Sequence, residues 1–267
     1  MPPALPLITL LTDFGDRDWF VASMKGVILT INPVARIVDL SHQITPHRIE
    51  EAAYCLQSCY RYFPEGTVHV AVVDPGVGSN RRPILVKTAR YYFVAPDNGL
   101  LTPVLHEESD VEIRQLENPQ YRLESPGNTF HGRDVFAPAA ARLTTGTAAE
   151  AFGRPVSDPV MINWPQPTMK ETGVRGQIVY VDRFGNLISN IGATQLGGMR
   201  SDPMHDRLRI CVGAHYIHGL VTSYSEGDPG VPHALINSNG LLEVFVREQR
   251  ATDLLRAAVG ATIDVAF

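Results

Sequence analysis

The chain has 267 residues, 44% of them hydrophobic and 19% charged, which is enough for one large domain or two modest ones and is not the composition of a disordered chain. Its 23 Lys and Arg against 28 Asp and Glu give a net charge of −5 with no basic block, so no nucleic-acid partner is expected. No apolar run reaches the ~18 residues of a membrane span, so no membrane partner is expected either.

The N-terminus, MPPALPLITLLTDFGD, starts like a secretory signal but lacks a basic n-region. It reads as the first strand of a cytoplasmic protein. Residues 7–11 form a continuous apolar run, suited to a strand buried on both faces, and stop at TDFGD (12–16). Residues 19–31 are helix-like and end before Pro33. A second strand is predicted over 37–40. Ile49, Ala52, Ala53, Leu56, Cys59, Tyr60 and Phe63 share one helical face, closed by Gly66. Cys55 and Cys59 fall on this helix as part of a buried face, since no further Cys or His completes a metal or redox site nearby. With Cys211 they make three cysteines, too few for a disulfide framework. Residues 68–73 are another buried strand, ending at DPGVG (74–78). Residues 84–88 and 91–95 read as a hairpin, and Asp97-Asn98-Gly99 as a turn.

This β-α-β-α-β order predicts an N-terminal α/β domain (1–157) with a largely parallel sheet covered by helices. Residues 130–143 are predicted helical, with Pro138 kinking the helix or lying near its start. The Pro-rich stretch 158–172 reads as a linker. Short strands follow at 176–181, 208–212, 215–221, 235–236, 241–246 and 263–267, with a short helix at 252–259. They predict a C-terminal all-β, barrel-like domain over 173–267.

In parallel sheets ligands bind beyond the carboxyl ends of the strands, and Asp13 and Asp74 stand at such ends. Asp13 can accept the two hydroxyls of a ribose or cap a helix. Asp74 either belongs to an Asp-Pro-Gly turn or faces a ligand that Gly76 and Gly78 let the backbone approach. The segment is no Walker loop. Arg81 and Arg82 follow at seven and eight residues; if the loop folds back, one of them pairs with Asp74 and keeps it ionised. His131 opens the predicted helix, whereas His106, His205 and His218 carry no context. Metal-binding spacings such as HExxH and CxxC are missing, so no metal site is expected, and GxSxG is absent too. VDRFGNLISNI (181–191) and INSNGLLEVFV (236–246) are strand–turn–strand segments with Asn at their turns, where Asn is common anyway.

TDFGD, VVDPGVG, APDNGLLTP, TFHGRDVFAPAAARL, DRFGNLISNI and INSNGLLEVFV, in this order, resemble the S-adenosyl-L-methionine hydroxide adenosyltransferase family, relatives of the fluorinases and chlorinases. The resemblance runs from about residue 7 to the C-terminus. It implies an α/β domain joined to a β-barrel, homotrimers with sites between subunits, and attack of water or hydroxide on the 5′ carbon of S-adenosylmethionine, giving adenosine and methionine without a further cofactor. It matches the family's Asp-Arg-His set to Asp74, Arg81 and His131. It implies ribose binding by Asp13, binding of methionine and adenine by Asp182, Phe184, Asn186 and Ser238, and backbone contacts to the adenine edge from Val246 to Glu248. His47 stands where the fluorinase has a pocket-lining Trp. The halogenases have Tyr in place of Asp74 and His131, and the fluorinase has Ser in place of Gly132. The alternatives are a halide adenosyltransferase and a non-catalytic protein that binds adenosine or S-adenosylmethionine. A sulfonium is already a good leaving group, so the residues are needed for the nucleophile: Asp74 to orient or deprotonate water, His131 to accept its proton, Arg81 to fix Asp74 and hold hydroxide.

Overall fold

A computed structural model describes residues 6–197 and 207–267; His205 lies outside them. The chain divides into two compact units between Asn163 and Trp164.

The first unit is built on a six-stranded sheet of order β2-β1-β3-β5-β4-β6. β1 (Leu7–Thr12) and β3 (Val68–Val72) are its central strands, and every residue of β3 is buried. Burial on both faces is why both are largely apolar, with Thr9 and His69 as the paired polar exceptions in their interiors. β2 (Arg36–Ser41) is the edge and correspondingly exposed. Pairings β1–β2, β1–β3 and β3–β5 (Tyr92–Pro96) are parallel. The expected hairpin then inserts β4 (Pro83–Lys87) antiparallel to β5, and β6 (Glu112–Gln115) runs antiparallel to β4, so the sheet is mixed. Helices α1 (Phe20–Ile31) and α4 (Ala137–Thr144) pack on one face; α2 (Ile49–Cys59) and α3 (Thr102–Glu107) pack on the other. Alternation along β3 sends Val68, Val70 and Val72 to the first core, and Ala71 and Val73 to the second.

The predicted 130–143 helix is two elements. A π-helical turn, Gly132–Phe136, precedes α4. Pro138 has no N–H to return to Asp134, whose carbonyl instead accepts from the Leu123 N–H at 2.9 Å. The Pro-rich stretch is shared between the units. Asp158 and Val160 bond to Arg82 and Asp97 of the first, whereas Thr168–Lys170 form strand β7 of the second. Cys55 and Cys59 are half-buried free thiols, pushed up by burial to about 11 and about 12, and Cys59 donates to the Cys55 carbonyl.

The second unit is one antiparallel sheet. Its order is β11 (His215–His218), β10 (Arg209–Val212), β14 (Thr262–Ala266), β8 (Gly173–Val181), β9 (Leu187–Gly192), β13 (Leu241–Val246) and β12 (Pro232–Ile236), with β7 beside β8. Just past β11 the Val221 N–H donates to the Ala234 carbonyl of β12 at 2.9 Å, so the sheet nearly closes around its own apolar core. The expected 252–259 helix is a single turn, Ala251–Leu254. Among the described residues no helix is long and apolar enough to cross a membrane.

His69 of β3 is fully buried among Tyr60, Tyr91 and Phe93, with Nδ1 2.8 Å from the Thr9 hydroxyl on β1. Burial pushes its imidazole down to about 3. It is therefore neutral in the fold but takes a proton when unfolded below its ordinary value of 6.5. The unfolded state binds more protons between those limits, so stability is lost as pH falls through that window. Between pH 7 and pH 5 this single group should remove about 2 kcal/mol. Urea midpoints at both pH values should show a smaller difference for His69→Phe than for the native chain.

Candidate functional site

Parallel pairing of β1 with β3, in the register Thr12 to Val72, brings the two predicted acidic positions to the same sheet end. Asp74 follows β3 at once. The loop after it folds back: Val77 N–H donates to the Asp74 carbonyl, Ser79 N–H and Oγ both donate to the Gly76 carbonyl, and Ser79 Oγ accepts the Arg81 N–H. Gly76 lacks the Cβ that would stand 3.2 Å from Arg81 Cγ, and the Arg81 stem lies there.

Arg81 thereby returns onto Asp74. Its Nε donates to Asp74 Oδ1 at 2.9 Å, and its Nη2 pairs with Oδ2. Both side chains are more than nine-tenths buried. Such a bidentate, charge-assisted pair fixes the guanidinium plane against the carboxylate. The guanidinium lies over the Phe136 ring, its carbon 5.4 Å from the centroid. Arg82, the other candidate, turns away to Asp97 and Asp158.

The π turn supplies the third member. His131 immediately precedes it, and His131 Nδ1 stands 2.6 Å from Arg81 Nη2. A guanidinium can only donate, so Nδ1 accepts and the neutral ring carries its proton on Nε2. Taking a proton at Nδ1 would break the bond to Arg81. Burial, and then the charge of Arg81, pushes the imidazole below its usual value; Arg122 adds to the effect. Within the cluster, two donors have no hydrogen-bond partner among the described residues: His131 Nε2–H and the buried Arg81 Nη1. Asn98, whose Nδ2 donates to the Val73 carbonyl at 2.8 Å, and Phe136 were missed from sequence as supports of the site. Asn98 carried a signal, its place in the APDNG turn; Phe136 carried none beyond an apolar run.

Gly132 is crowded. A Cβ there would stand 3.1 Å from Met24 Sδ and Phe130 Cε2, and 3.2 Å from Phe14 Cε2. Asp13 sits in the loop after β1, where its Oδ2 accepts the His47 N–H at 2.9 Å. His47 itself is exposed and adopts a left-handed backbone, φ 68°. Its link to Asp13 is through the backbone.

The second unit carries the remaining predicted residues. Asp182 closes the DRFGN turn: Oδ1 accepts the N–H groups of Phe184 and Asn186, and Oδ2 accepts Asn186 Nδ2. Phe184 is left 74% exposed. Ser238 is exposed at the tip of a turn held by Asn237, which accepts from Asn239 and Leu241 and donates to the buried Glu243. Val246 ends β13 with its carbonyl accepting from Gln249, and Glu248 is exposed at φ 66°. Among the described residues no three His, Cys, Asp or Glu side chains are grouped to hold a metal.

Residues 8–153 match the SAM hydroxide adenosyltransferase N-terminal domain, and residues 176–264 match the C-terminal domain of the same family. The chain belongs to the SAM hydroxide adenosyltransferase family. It is 36% identical to the (R)-S-adenosyl-L-methionine hydrolase of Methanocaldococcus jannaschii, over 98% of this chain and 97% of that one. It is equally similar to the hydrolase of Thermus thermophilus, at 36% over 96% and 98%. The fluorinase of Actinoplanes sp. is 31% identical over 89% of each chain. An uncharacterized conserved protein of Thermotoga maritima, known from its crystal structure, superposes with a TM-score of 0.91 at 35% identity, over 97% of this chain and 100% of that one.

The Arg81–His131 bond makes a measurable statement about the ring. At pH 7 its nitrogen NMR shifts should report the Nε2–H tautomer, titrating below 6.5. Arg81→Met should raise that midpoint, because the adjacent positive charge is gone. Arg82→Ala should leave it in place.

Proposed function

We propose that the protein hydrolyses S-adenosyl-L-methionine to adenosine and L-methionine. The carrying observation is the buried Asp74–Arg81–His131 cluster with two donors left free. Within it, Arg81 Nη1 and His131 Nε2–H hold the attacking oxygen with hydroxide character, while Asp74 fixes the guanidinium. The oxygen forms a bond to C5′ as the C5′–S bond breaks, and that electron pair stays on sulfur as the methionine thioether. The water's other proton leaves to solvent. No acid is required for a sulfonium leaving group. Hydroxide and sulfonium neutralise each other as the bond forms, so a dry site favours the reaction over the separated charges.

Asp13 is read as the ribose-binding carboxylate. Asp182, Phe184, Asn186 and Ser238, with backbone from 246–248, are read as recognising methionine and adenine. The family resemblance supports a homotrimer in which residues of different subunits complete each site, in a cytoplasmic setting. The tight space at Gly132 favours the hydrolase over a halide transferase, since the side chain that the fluorinase has there would press on Met24, Phe130 and Phe14.

Chromatography of S-adenosylmethionine incubated with the pure protein should yield adenosine and methionine, in excess chloride or fluoride as well. A 5′-halo-5′-deoxyadenosine product would overturn the reading. Arg81→Ala should lower kcat by about 10²–10³-fold, the effect of removing a preorganised donor, while Arg82→Ala leaves kcat near native and costs roughly 1.5–3 kcal/mol in urea unfolding by freeing the buried Asp97. Activity should fall as pH drops through the depressed His131 value, because a protonated ring cannot accept from Arg81. Sedimentation should find a trimer; an active monomer would refute that part.

A further inference from the structure

His42 was not singled out by the sequence, yet it binds the loop that carries Asp13. Its Nδ1 lies 2.8 Å from the Thr12 hydroxyl, and the same hydroxyl oxygen accepts the Phe14 N–H at 3.2 Å. The His42 carbonyl accepts the Gly15 N–H at 2.7 Å. Residues on either side of Asp13 are thus tied to His42, directly or through Thr12. On its other side His42 faces an anion: Nε2 stands 3.0 Å from Asp39 Oδ1, close enough for an ion pair though not aligned as a hydrogen bond. Asp39 is in turn held by Lys25 of α1, with Nζ 2.6 Å from Oδ2.

A carboxylate, an imidazole and a hydroxyl in a row also describe a nucleophilic relay. Thr12 is fully buried, however, and its oxygen already takes the Phe14 N–H, so no electrophile reaches it. What the row does is satisfy backbone donors in a turn and fix its path. The β1–β2 register shifts between Leu10 and Leu11, just before this turn, so the regular ladder does not itself set where residue 13 points. Asp13 is left with Oδ2 on the His47 N–H, and Oδ1 has no partner among the described residues.

We propose that His42 is a positioning residue for substrate: acting through Thr12, it holds the Asp13 loop so that the carboxylate meets the ribose hydroxyls. The proposal rests on the reading of Asp13 as the ribose-binding residue. It places specificity for the sugar in a group that touches no substrate.

The test is calorimetric affinity for adenosine and for 2′,3′-dideoxyadenosine, with KM and kcat alongside. The variants are His42→Ala, His42→Asn, Thr12→Val, Asp13→Ala and the double variant Asp13→Ala/His42→Ala. His42→Ala and Thr12→Val should each weaken adenosine by about tenfold, the scale of a lost hydrogen bond to an ordered loop, and leave the dideoxy nucleoside unchanged. KM for S-adenosylmethionine should rise with kcat near native. Asn places an amide oxygen near the Nδ1 position and should restore part of the loss. The double variant should bind adenosine no more weakly than Asp13→Ala alone, because His42 acts only through that loop. Thr12→Val keeps the side-chain shape, so it decides the matter even if His42→Ala folds poorly. Equal loss for both nucleosides, or a lowered melting temperature with unchanged affinities, would make His42 purely structural. If instead Asp13→Ala fails to separate the two nucleosides, the reading of Asp13 falls and the proposal falls with it.

Discussion

A guanidinium removed from water between a carboxylate and an imidazole is the constraint on which the first unit's site depends. Isolated, such a charge is costly to bury, and its mutual attraction with a partner offsets that cost only when geometry and hydrogen bonds are good. Three separate pieces of chain deliver that geometry. The segment just past β3 carries Asp74, the folded-back loop carries Arg81, and the residue that caps the π turn is His131. The Phe136 ring, five residues beyond His131, lies under the guanidinium, so one irregular turn supplies both a polar partner and an apolar face. Irregular helical turns of this kind recur at functional sites. Just beyond this one, Pro138 has no N–H to return to the Asp134 carbonyl, which accepts from Leu123 instead.

The parts that were legible in sequence are those set by local pattern. Largely apolar runs announced β1 and β3, and the parallel sheet then fixed which ends their aspartates occupy. The β4–β5 hairpin was legible as well, but its consequence was not: pairing β4 antiparallel to β5 makes the sheet mixed. Arg81 could not be told from Arg82, since spacings of seven and eight reach back equally well when the loop's path is unknown. The Ser79 hydroxyl, bonded to the Gly76 carbonyl and the Arg81 N–H, sets that path. β7 was lost in the Pro-rich stretch because a three-residue edge strand carries too little pattern to register. His42 was invisible for another reason. Its partners Thr12 and Asp39 lie on two different strands, and only the sheet brings them together.

The two units solve different problems with different means. In the first, charged side chains are buried and paired, which couples the position of each to its neighbour. In the second, the residues proposed for recognition ride on turns whose shape is fixed by one acid or amide bonded to its own backbone. Asp182 takes two N–H groups of its own turn, and Asn237 takes two of the next. Such turns hold their shape without being buried, so Phe184 and Ser238 stay exposed at fixed positions.

The tautomer of His131 bears most directly on nucleophile choice. If the ring were a free base, the site would select water by removing its proton. Bonded to Arg81 through Nδ1, it offers a donor instead, beside the donor of Arg81 Nη1. Two fixed donors attract any small anion, so they do not by themselves separate hydroxide from halide. The discrimination has to come from shape and from neighbouring charge. At Gly132 an added side chain would press on Met24, Phe130 and Phe14, which disfavours one means of solvating a halide in place of water. The Asp74 carboxylate lies in the same cluster, and a carboxylate repels a second full anion while it tolerates neutral water that becomes anionic only as it loses a proton. On this argument the charge that makes Arg81 affordable to bury is also the charge that keeps a preformed halide out.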